Sequence, residues 1–193
     1  ASWGVAGRPL AFAADPADYH PPLQTRAAAL RVANDVTAKR VFLAWRFHEE
    51  AFGALPVTIV GRNPDMGVEP ARDWDHLKRL LADHRLYVHT ADPRYEDGYN
   101  MAMVEAMAAG LPVVSNAHPT SPLTHGVDGF LAATPADART YAEALLADTA
   151  LARTMGDAAR RTVMSRFSPA AFRAGALDAI DRAKKKYRRR QRA

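Results

Sequence analysis

The chain has 193 residues, 48% apolar and 24% charged, which is the composition of an ordinary soluble globular protein with one substantial core. It has no cysteine, so disulfides, thiol catalysis and cysteine-ligated zinc are excluded; no apolar run approaches the roughly 18 residues of a membrane span, and the start, ASWGVAGRPLAFAAD, lacks the basic and apolar blocks of a signal peptide. The net charge of +5 belongs to one end: the last twelve residues, RAKKKYRRRQRA, hold eight of the 26 Lys and Arg and no acid, leaving a body with 18 basic and 21 acidic residues, about −3.

Residues 1–28 are rich in Ala and Pro and read as an extended, turn-laden leading segment. ALRVAND, 29–35, is a short apolar run ending in turn residues, so a strand and a loop. The apolar positions 41, 42, 44, 45 and 47 predict one helix over 39–52. LPVTIVG is a buried parallel strand that stops at glycine. DWDHLKRLLADH is a helix with an Asp cap, and RLYVHTA another strand. A helix is expected from about Asn100 to Ala109, stopped by Gly110, with a strand in GLPVVSN. GVDGFLAA is a turn and a short strand, and three amphipathic helices close the chain. Strands alternating with helices predict an α/β fold, a doubly wound and mostly parallel sheet with right-handed crossovers. The expected organisation is a leading segment 1–28, a Rossmann-like domain 29–170, and a helix with a basic tail over 171–193.

Ligands of such sheets bind at the carboxyl ends of the strands. YVHTADPRYEDGYN is one of these loops, and the helix after Gly98 opens with unpaired amides suited to phosphate. Two carboxylates, Asp97 and Glu105, stand eight residues apart, roughly 80° of rotation if both lay on one helix. Carboxylates accept paired hydrogen bonds from vicinal hydroxyls, which sugars and riboses offer. Glu105 lies within MAMVEAMAAG, where few positions look solvent-facing, and a lone buried carboxylate costs several kcal/mol. The bland alternative is a helix-initiating Asp97 and a solvated Glu105.

EDGYNMAMVEAMAAGLPVVS resembles the signature of retaining GT-B glycosyltransferases of family 4, or group 1. THGVDGFLAA, the strand VTIVG and the closing helices resemble further segments of that family, over roughly 29–170. The resemblance implies the C-terminal, donor-binding half of a two-domain enzyme that moves a sugar from a nucleoside diphosphate sugar. It implies Asp97 at the donor sugar, where the family has Glu, and Glu105 at the ribose hydroxyls. It implies the amides of Gly98, Tyr99, Asn100 and Met101 at the diphosphate and sugar, and Gly61 and Arg62 at the strand end. VANDVTAKR occupies the frame of the family's phosphate-binding segment: Lys39 falls on its Lys, while Asn34 replaces its Arg and removes one positive charge. Arg40 and Arg62 are the candidates to compensate.

Other signals are assigned simpler roles. DWD at 73–75 resembles an Asp-x-Asp metal motif but precedes a helix, so capping accounts for it. The seven His show no zinc-ligand spacing, and His118 and His125 are read as structural or solvated. Trp45 is read as core, and Trp74 as the edge of a base pocket. No metal or other cofactor is expected. The basic tail fits an anionic membrane surface or a solvated helix end, with nucleic acid unlikely. A cytoplasmic location, peripheral to a membrane if the tail binds one, follows. Residues 1–28 are too short for an acceptor domain, so a partner chain or further domain is expected. A non-catalytic nucleotide-sugar-binding or scaffolding subunit is the rival reading, and a nucleotide-sugar epimerase the third.

Overall fold

Five short apolar runs form the strands of one sheet in a computed structural model that describes residues 12–95, 97 and 100–190. The strands are β1 (Arg26–Val32), β2 (Val57–Val60), β3 (His84–His89), β4 (Val113–Asn116) and β5 (Gly129–Ala132), all parallel in the order β2-β1-β3-β4-β5. The helices are α1 (Val36–Lys39), α2 (Trp45–Phe52), α3 (Trp74–Asp83), α4 (Met101–Ala108), α5 (Pro135–Ala147), α6 (Thr149–Arg166) and α7 (Pro169–Arg190).

Alternation along the strands divides the core into two layers. Ala29, Leu86, Val88 and Val114 face Ala51 and Phe52 of α2 and Ala138, Ala142 and Leu145 of α5. Leu30, Val60, Tyr87 and Val113 face Leu81 of α3, Met103, Val104 and Met107 of α4, and Val163 of α6. The chain leaves β1 towards β2 over one face and returns to β3 over the other. The connections therefore diverge between β1 and β3, and this switch point leaves a crevice at the carboxyl ends of those strands.

Helix caps follow the sequence closely. Asp73 accepts the amide of His76 (2.6 Å), so the DWD motif is a cap. Thr134 and Asp137 form a reciprocal capping box at α5. β1 begins three residues before the expected start, at Arg26. The leading segment packs on the closing helices: Ala14 donates to the carbonyl of Phe167 (2.9 Å), Arg160 donates to that of Pro16 (2.8 Å), and Tyr19 is buried.

The single helix expected over 39–52 is broken. It starts at Val36, ends at a turn over 40–44, and restarts at Trp45. Ala44 sits in the left-handed region (φ 44°), with Trp45 N bonded to Arg40 O (2.9 Å) and Ala44 N to Val41 O (3.0 Å), the paired bonds of a Schellman stop without its usual glycine. Two carbonyls released by the break are taken by the loop after β3. Asp92 N donates to Phe42 O (2.9 Å), and Thr90 Oγ1 to Leu43 O (2.6 Å). These long-range bonds outweigh the local apolar periodicity.

Gly156 tests the packing of α6. Alanine in a helix interior is ordinarily better than glycine by about 1 kcal/mol. Here a Cβ would fall 2.1 Å from the carbonyl oxygen of Gly110, a backbone atom that cannot swing away. Gly156→Ala is expected to destabilise the chain by about 1–3 kcal/mol, as overpacking does, read as a lower urea midpoint; a gain in stability would show that α6 is not pressed against the end of α4.

Candidate active site at the sheet switch point

The crevice is built by bonds between the loops that follow β1, β2 and β3. Gly61 ends β2 at φ +144°, and a Cβ there would meet Ala33 O at 2.0 Å, so only glycine lets the two strand ends approach. Asn34 Oδ1 accepts the amide of Arg62 (2.8 Å). The buried Asn63 donates to Ala33 O and accepts the amide of Val36 (both 2.8 Å), tying the start of α1 to the β2 loop. Asn116 does the same for the β3 loop, bonding both the amide and the carbonyl of Ala91 (3.0 and 2.8 Å).

Asp35, at φ 55°, collects two cations. Its Oδ2 takes Lys39 Nζ (3.1 Å), and Arg62 Nη1 stands 3.8 Å from Oδ1. Arg40 instead pairs with Glu49 (2.8 Å), so of the two candidates to replace a charge at Asn34, Arg62 alone joins this cluster.

A cavity of about 390 Å³ opens at the ends of β1 and β2, lined by Val32, Asn34, Gly61, Asp73, Trp74 and Leu77 among others. The half-exposed Trp74 ring meets Tyr19 edge-on at 5.7 Å. A larger cavity, about 590 Å³, lies between the 40–44 turn, α2 and the β3 loop. Its arginines pair with neighbouring acids, Arg40 with Glu49, Arg46 with Glu50 and Arg94 with Asp92, and it lies beside α2 and away from the ends of β1 and β2.

The two carboxylates occupy contrasting environments. Asp97 lies in the loop before α4, not on the helix, so the 80° relation does not apply. It is held instead by His89, whose Nε2 lies 2.8 Å from Asp97 Oδ2. Burial pushes Asp97 upward, but the His89 hydrogen bond and the charges of His118 and Arg31 outweigh it, leaving its pKa below the usual value. Glu105 is half-buried in the middle of α4 and has no hydrogen-bond partner among the described residues; burial alone pushes its pKa up. It lies within electrostatic reach of Tyr19 and Tyr87. Tyr87 in turn bonds the backbone of Val32 at the cavity wall (3.3 Å to N, 3.4 Å to O).

Asn100 caps α4, its side chain accepting the amide of Met103 (3.2 Å). Helix geometry leaves the amides of Met101 and Ala102 without an intrahelical acceptor. Gly98 and Tyr99 lie outside the described residues. Thus Asn34 and Gly61 share the cavity, Lys39 and Arg62 share Asp35, and Asp97, Asn100, Met101 and Glu105 follow β3. His118 borders the site through a bond to Tyr95 O (3.1 Å), whereas His125 accepts the amide of Leu131 (3.0 Å) and packs on Phe130 and Tyr141. Sequence reasoning missed Arg31, His89, Asn63 and Asn116. A charged residue inside the apolar run ALRV was the one available signal.

A parallel, doubly wound sheet with a ligand-sized crevice at its switch point defines a Rossmann-like α/β domain. The family model for "Glycosyl transferases group 1" matches residues 50–148, and the chain belongs to that family. Its architecture is that of the C-terminal half of a GT-B glycosyltransferase. No curated protein matches the chain. Among solved structures, it is similar to S. aureus TarM in complex with Fondaparinux, alpha-GlcNAc-glycerol and UDP (TM-score 0.64, 19% identity, covering 83% of this chain and 37% of TarM). It is similar to Anabaena HepE in complex with UDP and glucose (0.60, 16%, 81% and 48%). It is also similar to the C-terminal domain of LpcC from Francisella tularensis, a glycosyl transferase group 1 family protein (0.55, 11%, 81% and 99%). The chain thus spans less than half of TarM and of HepE but nearly all of the isolated LpcC domain.

A carboxylate whose pKa is raised in the folded state weakens that state wherever it is ionised. The penalty is fully present above the folded pKa and disappears as pH falls below the unfolded value, about 4.3. Glu105→Gln is therefore expected to raise the melting temperature of the ligand-free chain at pH 7–8 and to leave it unchanged near pH 4. A lower melting temperature at pH 7 would mean that Glu105 has a structural partner.

Proposed function

We propose that the chain is the donor-binding half of a retaining glycosyltransferase acting on a nucleoside diphosphate sugar. The observation that carries this reading is Glu105, a half-buried carboxylate with no hydrogen-bond partner among the described residues, within electrostatic reach of Tyr87, whose hydroxyl bonds Val32 at the cavity wall. In this reading the base enters the cavity against Trp74, Glu105 accepts the ribose hydroxyls, and Asp97 accepts a hydroxyl of the sugar. The amides of residues 98–101, Lys39 and Arg62 meet the diphosphate and stabilise the charge that grows on it as the anomeric C–O bond breaks. The acceptor oxygen bonds to the anomeric carbon on the same face, and its proton passes to a donor phosphate oxygen, so Asp97 positions the sugar and is not a general base. No metal is assigned, because the helix start and the two cations take that place.

UDP in the TarM and HepE structures makes UDP-sugars the first donors to test. Because the chain spans less than half of those relatives, we assign acceptor binding to a further domain or a partner chain. We assign the protein to the cytoplasm as part of this reading. No described helix is long and apolar enough to cross a membrane, and the exposed basic residues within 182–188 of α7 are assigned to an anionic membrane surface, with a solvated helix end as the alternative. Asn34 in place of an arginine, and Asp97 in place of a glutamate, favour the rival reading of a non-catalytic binding or scaffolding subunit.

Calorimetry with UDP-, GDP- and ADP-glucose tests the proposal. One nucleotide sugar is expected to bind saturably, and Glu105→Ala to weaken it at least about tenfold, the loss of a charged hydrogen-bond acceptor. Absence of binding to all three would overturn the reading. Turnover by this chain on simple acceptors would eliminate the scaffolding alternative, and release of an epimerised sugar would favour an epimerase.

A further inference from the structure

Arg31 is a fully buried arginine in β1, and its donors are aimed at the end of β3. Nη1 donates to Val88 O (3.2 Å) and to His89 Nδ1 (2.9 Å), and Nη2 donates to Thr90 O (3.0 Å). A guanidinium has no lone pair to offer, so His89 Nδ1 must be the acceptor in that bond. The single proton of a neutral imidazole then sits on Nε2, which points at Asp97 Oδ2 across 2.8 Å. Protonating Nδ1 would set an N–H against the guanidinium. Burial also disfavours the charged ring, which is only 3% exposed at its side chain. The charged or titratable groups facing the ring are Arg31, Asp97 and His118.

Exposure rises along this chain of bonds, from the buried arginine through the 3% exposed histidine to the 21% exposed aspartate. Oδ2 is held by His89, while Oδ1 meets no donor among the described residues. We propose that Arg31 and His89 are positioning residues that hold Asp97 by one oxygen and turn the other towards a hydroxyl of the bound sugar. This rests on the donor-site reading given above. It gives the shorter aspartate a fixed orientation that its own side chain does not supply, through a histidine whose tautomer is set from inside the sheet.

The test has two arms. A long-range ¹H–¹⁵N spectrum of the whole chain is expected to show His89 as the Nε2–H tautomer, charging only below the pH at which an ordinary imidazole (about 6.5) does. An Nδ1–H tautomer, or titration near 6.5, would overturn the proposal whether or not any nucleotide binds. The second arm compares binding of UDP with that of UDP-glucose. His89→Gln keeps an acceptor for Arg31 and a donor for Asp97, whereas His89→Phe keeps neither. The preference for UDP-glucose over UDP should survive in His89→Gln and fall at least fivefold in His89→Phe, with UDP affinity within twofold of wild type in both. An unchanged preference in His89→Phe, or equal loss in both variants, refutes positioning. If His89→Phe does not fold, Asp97→Asn replaces it: the same loss of preference is expected, with a shifted Nε2 resonance and an unmoved Nδ1, and an unmoved Nε2 refutes the bond. Failure of wild type to bind UDP or UDP-glucose counts against the donor reading, while the spectrum still decides whether the histidine holds Asp97.

Discussion

A charged guanidinium buried in β1 needs hydrogen-bond acceptors where it lies, and the loop after β3 is arranged around that need. Removing such a charge from water costs several kcal/mol unless hydrogen bonds replace the lost hydration. Arg31 finds them at the end of β3, from Val88 O, His89 Nδ1 and Thr90 O. Once residues 88–90 are fixed, Thr90 and Asp92 reach the carbonyls of Leu43 and Phe42, and Asn116 clamps Ala91 from the other side. The turn at 40–44, the β3 loop and the end of β4 are therefore held as one unit. Loops do not adopt such an arrangement through local propensity, and here it is imposed by a single cation in the core.

The two acids show how the same side-chain chemistry is tuned in opposite directions. Asp97 is pushed up by burial, but the His89 hydrogen bond and neighbouring charges outweigh it and hold its pKa below the usual carboxylate value. Glu105 has only burial acting on it, so its charge weakens the ligand-free fold. A group left in that condition is a reservoir that a ligand can draw on, since hydroxyl donors would satisfy it on binding. The contrast fits an anchored residue that orients and an unanchored one that is completed by what it binds.

Much of the fold was legible because its signals are local. β-branched runs ending in glycine, the Asp73 and Thr134 caps, and Gly110 closing α4 each act within a few residues. The break at 40–44 was not legible, because the groups that stabilise it, Thr90 and Asp92, come some fifty residues later. Asn63 and Asn116 were overlooked for a related reason: an asparagine at a strand end looks like any turn residue until its partners are brought to it. Glu105 was legible as a carboxylate on an apolar helix. Asp97 was legible, with its place before the helix expected from a helix start near Asn100, but its histidine partner depends on the sheet placing His89 beside Arg31.

The cations around the crevice fall into two kinds, and the difference bears on how a diphosphate would enter. Lys39 and Arg62 meet Asp35 at the surface, where their side chains are half or more exposed, and pairs of this kind contribute about 0–1 kcal/mol. They can be exchanged for phosphate oxygens at little cost, so the cations are held near the site without being committed to it. Arg31 is the opposite case: its bonds are buried, and breaking them would strand a charge in the core. A ligand of high negative charge can therefore rearrange the rim while the frame behind it stays fixed. That division, with exchangeable cations outside and a non-exchangeable one inside, is what allows a domain of marginal stability to offer both charge and fixed geometry at one place.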